Sequence, residues 1–412
     1  MSVQDILRRA KNAAPALARS SEHTKNQALA AIADVLEKRA SEVLAANEID
    51  MKNSEGKLPT GMLDRLKLNE SRIAGLAKAM REVIELADPT GKVIEEKTLA
   101  NGLHLQKISV PIGVIGCIYE ARPNVTIDIA ALAIKSGNAA ALRGGSAAEN
   151  TNRILVEIIQ NGLSKAGLPA DSVQTIDPFG REGATAMMQA RGLVDVLIPR
   201  GSASLIHAVV NESKVPVIET GDGVVHIYVD SEVDETIVAP IVVNSKAQRP
   251  SVCNSLETLL IHEAVAEKLL PEIGRALSDA EVTIHGCERT QQIISCTPAT
   301  EEDWSTEYLS LDLSVKVVKN LNEALAHIAK YSTHHTESIL TKIQANADRF
   351  LSEIDSAVVM VNSSTRFTDG GEFGLGAEVG ISTQKLHARG PMGLRELTST
   401  KWLVRGSGQV RS

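Results

Sequence analysis

A chain of 412 residues is longer than one hydrophobic core usually supports, so two or three structural units are expected. Its 43% apolar and 23% charged residues are the proportions of a soluble globular protein. A net charge of −8 and an aromatic content of 2% provide neither the basic footprint nor the stacking platforms of a nucleic-acid binder.

The first stretch, to about Asp88, is rich in Ala, Leu, Glu and Lys with apolar residues three and four apart, and reads as helices. Its opening "MSVQDILRRAKNAAPALARS" has the arginines of a transit peptide. Ile6, Ala10, Ala13, Ala14 and Leu17 equally suit one face of an ordinary helix, which is the expectation here. Two strands, "VIEEKTL" and "LHLQKISV", follow around the turn Ala100-Asn101-Gly102, a hairpin of the kind that serves as an oligomerisation arm.

From Pro111 strands and helices alternate. "IGVIGCIY", "AAALR", "VQTI", "VDVLIP" and "PVIET" read as strands. Helices lie between them, including "VTIDIAALAIKSG", stopped by Gly137, and one stopped by Gly167. A second alternating block starts near "VVHIYVD" and continues through a helix at "DETIVAPIVVNSKAQ". It then runs through the strand "LETLLIH", a helix through Leu277, "SVKVVKN", "LNEALAHIAKYS", "ESILT" and "SAVVMVNSS". A long glycine-rich loop and a last strand with its tail close the chain. This pattern implies mostly parallel sheets covered on both faces, with ligands at the carboxyl ends of the strands.

The loops at those ends carry the candidate chemistry. Asn124, in "ARPNVTID", suits a helix cap, and its amide also suits an oxyanion donor. Gly144, Gly145 and Ser146 before a helix read as an anion cradle or as a tight turn with a serine cap. Gly201 and Ser202 allow close backbone approach, and Glu219 ends a strand as a base, a hydroxyl ligand or a surface charge. No strand-linked Gly-x-Gly-x-x-Gly or Walker motif is present, and the adjacent His334-His335 lacks the spacing of a zinc site.

Four cysteines, Cys117, Cys253, Cys287 and Cys296, form no Cys-x-x-Cys pair, which fits a reducing, cytoplasmic setting. No apolar run reaches the ~20 residues of a membrane span. Cys253 is the best nucleophile candidate of the four. Arg249-Pro250 stiffens its approach, Ser251, Asn254 and Ser255 surround it, and Lys246 and Arg249 favour a thiolate. Local sequence leaves nucleophile and buried filler both open.

The segments "PIGVIGCIYEARPNVTIDIAALAIKSGNAAALRGG", "LIPRGSASL", "VIETGDGVVHIYVD", "NSKAQRPSVCNSLETLL" and "EFGLGAEVGISTQKLHARGPMGLRELTSTKW" together resemble the gamma-glutamyl phosphate reductase family of the aldehyde dehydrogenase superfamily. The likeness runs nearly end to end. It implies an α/β, aldehyde dehydrogenase-like fold of two doubly wound parallel-sheet domains plus the hairpin arm. The implied cofactor-binding domain is 1–222 (interrupted by the arm at about 92–110), the catalytic domain 223–396, and the tail 397–412 joins the arm.

The resemblance further implies NADPH-dependent reduction of L-glutamyl 5-phosphate to L-glutamate 5-semialdehyde, releasing phosphate, in proline biosynthesis. In that reading Cys253 forms a thioacyl-enzyme, and Asn124 with the Cys253 N–H holds the oxyanion. Arg143, Gly144, Gly145, Ser146, Gly201, Ser202 and Glu219 lie along NADP(H). Arg122, Arg249, Arg366, Lys385 and Arg389 are available to the substrate's anionic groups. It implies a homo-oligomer and admits association with glutamate kinase. Rival readings are a hydrolysing aldehyde dehydrogenase with Glu219 as base, and a non-catalytic partner of that kinase.

Overall fold

The alternating segments fold as two parallel sheets, one in each of two units. The structure is a computed structural model that describes residues 1–411, with the side chains of all but Thr60 and Ala203. Unit one comprises Met1–Glu219, Gly374–Gly380 and Met392–Ser412, and unit two Thr220–Phe373 and Ile381–Pro391. The division departs from the expected boundaries in the late loop, where 374–380 and 392–396 return to unit one. There Gly376 lies against Leu86, and the Val379 N–H donates to the Met392 carbonyl at 2.8 Å.

Unit one opens with α1 (Val3–Ala18), α2 (Glu22–Lys38), α3 (Ala40–Ser54), α4 (Thr60–Leu66) and α5 (Glu70–Glu85). Ser2, Ser21 and Asn69 cap three of these helices by accepting from the backbone N–H groups of Asp5, Thr24 and Arg72. Each such cap stabilises its helix by about 1 kcal/mol. The arginine-bearing N-terminal stretch is an ordinary packed helix. Leu7, Ala10 and Ala14 of α1 join Val114, Ile118 and Leu197 in one core cluster.

The hairpin β1 (Val93–Thr98) and β2 (His104–Pro111) is antiparallel. Then come β3 (Val114–Tyr119), α6 (Pro123–Lys135), β4 (Ala139–Arg143), α7 (Glu149–Lys165), β5 (Val173–Thr175), α8 (Gly180–Met188), β6 (Val196–Arg200) and α9 (Ala203–Glu212). Their strands pair in parallel in the order β5-β4-β3-β6. β3 is buried along its whole length, as its near-continuous apolar run requires when helices cover both faces. "PVIET" is not a full strand. It makes a single bridge beside β6, through Leu197 N–H to the Pro216 carbonyl and Ile218 N–H to the Leu197 carbonyl, because Pro216 has no N–H for a ladder.

Unit two contains β7 (Val225–Val229), α10 (Glu235–Ala247), β8 (Leu256–His262), α11 (Glu263–Asp279), β9 (Thr283–Gly286), α12 (Glu288–Ile293), β10 (Thr297–Pro298), β11 (Asp312–Val318), α13 (Leu321–Tyr331), β12 (Thr336–Leu340), α14 (Gln344–Glu353) and β13 (Val358–Val361). Its strands form a parallel sheet in the order β10-β9-β11-β8-β7-β12-β13. Periodicity did not indicate β9, α12, β10 or α14, which are short or, like "QANADRFLSE", mostly polar. The short strands β14 (Gly380–Ser382) and β15 (Gly390–Met392) stand where the chain passes between the units. β16 (Thr398–Arg405) then pairs with β2, giving the sheet β1-β2-β16. Among the described residues, no helix is long and apolar enough to cross a membrane.

Candidate active site

In unit two, α10 ends at Ala247 and β8 begins at Leu256, and Cys253 sits in the turn between them. It is half-buried, which suits a thiol that must meet both substrate and solvent-borne protons. Cys117 and Cys296 are less suited. Burial pushes the Cys117 thiol up to about 12 and raises that of Cys296.

The turn is held from several sides. A Cβ on Gly223 would lie 1.6 Å from the Cys253 carbonyl oxygen, so only glycine lets the start of β7 pass this close. Ser255 N–H donates to the Val252 carbonyl at 3.0 Å. Asn254 is buried, and its Nδ2 donates to the Thr368 carbonyl at 2.8 Å, while Thr365 Oγ1 donates to the Asn254 carbonyl at 2.8 Å.

Arg366 completes this frame. Its Nε donates to Gln248 Oε1 at 2.6 Å and its Nη1 to Asn254 Oδ1. Burial lowers the guanidinium from its usual range. Asp369, Cys253 and Glu372 pull it back up, and Arg249 adds a like-charge push downward. Two guanidiniums, Arg366 and Arg249, therefore share the locality of the thiol with two carboxylates, Asp369 and Glu372, and cations so placed favour the thiolate form.

Beneath the turn, Lys246 Nζ lies 2.6 Å from Glu257 Oε2, and neither side chain is exposed. Burial pushes Glu257 up and Lys246 down, and each is opposed by its partner. Lys385 and Arg389 are engaged elsewhere in the unit. Both pair with Asp355, Arg389 through Nη2 to Oδ1 at 2.8 Å. Together the two cations hold that carboxyl down near 2.

In unit one, Asn124 is not the cap of α6. The helix begins at Pro123, whose fixed φ and missing N–H suit a first position, and half-buried Arg122 precedes it. Asn124 is thus the second helical residue, and its Nδ2 donates to Asp128 Oδ2 one turn on, at 3.1 Å. Ser146 does not cap α7 either; it opens a short 3₁₀ turn. Asp50 of α3 does that work, accepting from the Asn150 and Thr151 N–H groups at 3.3 and 2.8 Å.

The Gly144 N–H donates to Asp177 Oδ1 at 2.6 Å, so an anion at this turn would compete with a carboxylate. Gly145 approaches the backbone of Ala121, and Arg143 Nε donates to the Gly180 carbonyl at 3.3 Å. At the end of β6, Ser202 accepts from Leu205 N–H at 3.4 Å to cap α9. Its own N–H and Oγ donate to Glu120, at 2.9 and 3.1 Å. Glycine turns, a capped helix start and a guanidinium at the carboxyl ends of β4 and β6 fit the phosphates of a dinucleotide. Glu120 must yield its place at Ser202 for one to dock. Glu219 is half-buried at the last residue before the chain enters unit two.

Asp128, Glu120 and Glu257 were missed from sequence. A signal existed for two of them: Asp128 is the one acid in the apolar run of α6, and Glu257 the one acid in the buried run of β8.

Two parallel α/β sheets, with a cysteine turn leading into a buried strand of one and glycine turns ending the strands of the other, define the class of the aldehyde dehydrogenases. The model of the aldehyde dehydrogenase family matches residues 1–295. A gamma-glutamyl phosphate reductase of Leifsonia xyli is 59% identical over 413 aligned positions, covering 100% of this chain and 98% of its own. One of Thermobifida fusca is 56% identical, covering 99% and 98%. The crystal structure of the Thermotoga maritima gamma-glutamyl phosphate reductase superposes with a TM-score of 0.97 at 46% identity, covering 100% of both chains. An acetylating aldehyde dehydrogenase of Geobacillus thermoglucosidasius, 16% identical with a TM-score of 0.72, shares the fold. The chain belongs to the aldehyde dehydrogenase family and, within it, to the gamma-glutamyl phosphate reductases.

Proposed function

We propose that this protein reduces L-glutamyl 5-phosphate to L-glutamate 5-semialdehyde with NADPH and releases phosphate, a step of proline biosynthesis. The observation that carries the reading is the Cys253 turn, with Arg366 braced on Gln248 and Asn254 and sharing its electrostatic surroundings with Arg249.

The Cys253 thiolate attacks the acyl carbon of the mixed anhydride. The carbon–oxygen bond to the phosphoryl group breaks, the electron pair leaves with phosphate, and a thioester remains on Sγ. Phosphate is a good leaving group, so once Cys253 is a thiolate this step needs no general base. Arg366 and Arg249 offset the charge that gathers on the departing phosphate. The Cys253 N–H and the Asn124 amide donate to the carbonyl oxygen as it becomes an oxyanion. When bound, the nicotinamide supplies the hydride, and Cys253 leaves as thiolate when the aldehyde is released. Arg143, Gly144, Gly145, Ser146, Gly201 and Ser202 would hold the cofactor's phosphates, and the Arg143 guanidinium would suit a 2′-phosphate. Arg122, Lys385 and Arg389 would bind the substrate's carboxylate, Lys385 and Arg389 in exchange with Asp355.

The enzyme works in the cytoplasm as a homo-oligomer joined through the β1-β2-β16 arm. Direct association with glutamate kinase is tested by co-purification of the two proteins.

The deciding measurement is the initial rate of NADP+ reduction by glutamate semialdehyde against phosphate concentration, with NAD+ compared. The rate should require phosphate and vanish in Cys253→Ala. A rate independent of phosphate would instead identify water as the acyl acceptor and Glu219 as its base.

A further inference from the structure

We infer that Asp128 is a positioning residue for the Asn124 amide, fixing which end of that amide faces the developing oxyanion. The inference rests on the reading of Asn124 given above.

Apart from Asn124, Thr126 and Asp128, helix α6 is apolar up to Lys135 at its end, and Val125, Ile127 and the run Ile129–Ile134 are buried. Asp128 stands alone among them as an acid. It lies four residues after Asn124 on the same helical face, where side chains meet. The contact is Asn124 Nδ2 to Asp128 Oδ2, 3.1 Å.

A carboxylate has only acceptor sites, so the bond selects the nitrogen end of the amide. The amide is planar. With one N–H held by Asp128, the second is directed about 120° away from it, and Oδ1 turns off the axis of the contact. Without that carboxylate, the two flips of the amide present a donor or an acceptor to the same point. The acceptor flip would repel an oxyanion.

Helix electrostatics do not account for the acid. Asp128 is the sixth residue of α6, beyond the first turn in which the helix dipole favours negative charge. Its charge has a cost. Burial pushes the carboxyl up to about 6, against the pull of Asn124's donated bond and of Arg200, the charged group that faces it from the end of β6. Above that pH the carboxylate accepts from Nδ2. Below it the acid can donate to Oδ1 and reverse the amide.

The test compares Asn124→Ala, Asp128→Asn and Asp128→Ala in the full chain, with rates expressed per Cys253 titrated by a thiol reagent so that misfolded protein is not counted. Both Asp128 variants should lower kcat about 10- to 100-fold, somewhat less than loss of an oxyanion donor outright. KM should stay within about twofold. The acid limb of kcat near pH 6 in the wild-type enzyme should be absent from both variants. If Asn124→Ala is slow while both Asp128 variants keep the wild-type rate per titrated thiol and the same acid limb, the inference fails and the reading of Asn124 stands. If Asn124→Ala itself keeps the wild-type rate, the reading of Asn124 fails and the inference with it.

Discussion

Lys246 and Glu257 form an ion pair of 2.6 Å with both side chains fully buried, on either side of the turn that carries Cys253. The pair joins the end of α10 to the start of β8. Its partners extend to Tyr308, whose ring lies 5.8 Å from Lys246 Nζ, and to the Leu309 N–H, which donates to Glu257 Oε1 at 3.5 Å. Removing Lys246 takes away the partner that opposes the burial of Glu257, so the carboxyl must stay charged in a dry interior or take up a proton, and either costs stability. Lys246→Met alone should therefore cost about 3–5 kcal/mol, whereas Lys246→Met with Glu257→Leu should fall within about 1 kcal/mol of wild type. Urea unfolding of the three proteins checks this, and equal losses in the single and double variants would mean the pair is not coupled.

Arg366 should set the reactivity of Cys253. Arg366→Ala removes the guanidinium braced by Gln248 and Asn254 and should slow alkylation of Cys253 by iodoacetamide at pH 7 by about tenfold, one unit of thiol acidity. Arg366→Lys keeps the charge but not the fork geometry, so it should recover the alkylation rate without recovering the affinity for phosphate.

Gly223 limits how close β7 can pass to the nucleophile turn. A methyl group there meets the Cys253 carbonyl oxygen at 1.6 Å, against backbone that has no rotamer to change. Gly223→Ala should displace the turn, abolishing activity while the far-ultraviolet circular dichroism stays that of the wild type. A Gly223→Ala enzyme of normal kcat would show that the turn relaxes freely.

Acid stability should carry the signature of His335. Its side chain is fully buried, Nδ1 contacts Thr336 Oγ1 at 2.9 Å, and burial lowers its pKa to about 4. The unfolded chain protonates this ring near 6.5. Between pH 6.5 and 4 the unfolded state therefore binds more protons than the folded one, and stability falls as pH falls through that window. The contribution is on the order of 3 kcal/mol across the window. His335→Leu should make the melting temperature less sensitive to pH from 6.5 to 4 and leave its behaviour above 6.5 unchanged.

Much of the architecture was legible in the chain. Apolar alternation, helix periodicity and the stops at Gly137 and Gly167, which take φ of 74° and 73°, indicated the alternating strands and helices of both units. These are local properties of a dozen residues at a time. The same local reading put Cys253 in a turn before a buried strand, which is where it lies. It offered a capping role for Asn124 and Ser146 that neither has, because a cap depends on where neighbouring elements begin, and Asp50, 100 residues before Asn150, serves α7.

Only the tertiary structure decided the partners. Arg366 and Asn254 are 112 residues apart, and Glu337 and His226 are 111 apart. No periodicity records such a pairing, because it follows from the order in which strands enter a sheet. Sequence by itself therefore determined which residue types stand at the strand ends. The fold determined which carboxylates and guanidiniums meet there, because desolvation makes a buried charge tolerable only beside the partner that the chain's topology delivers to it.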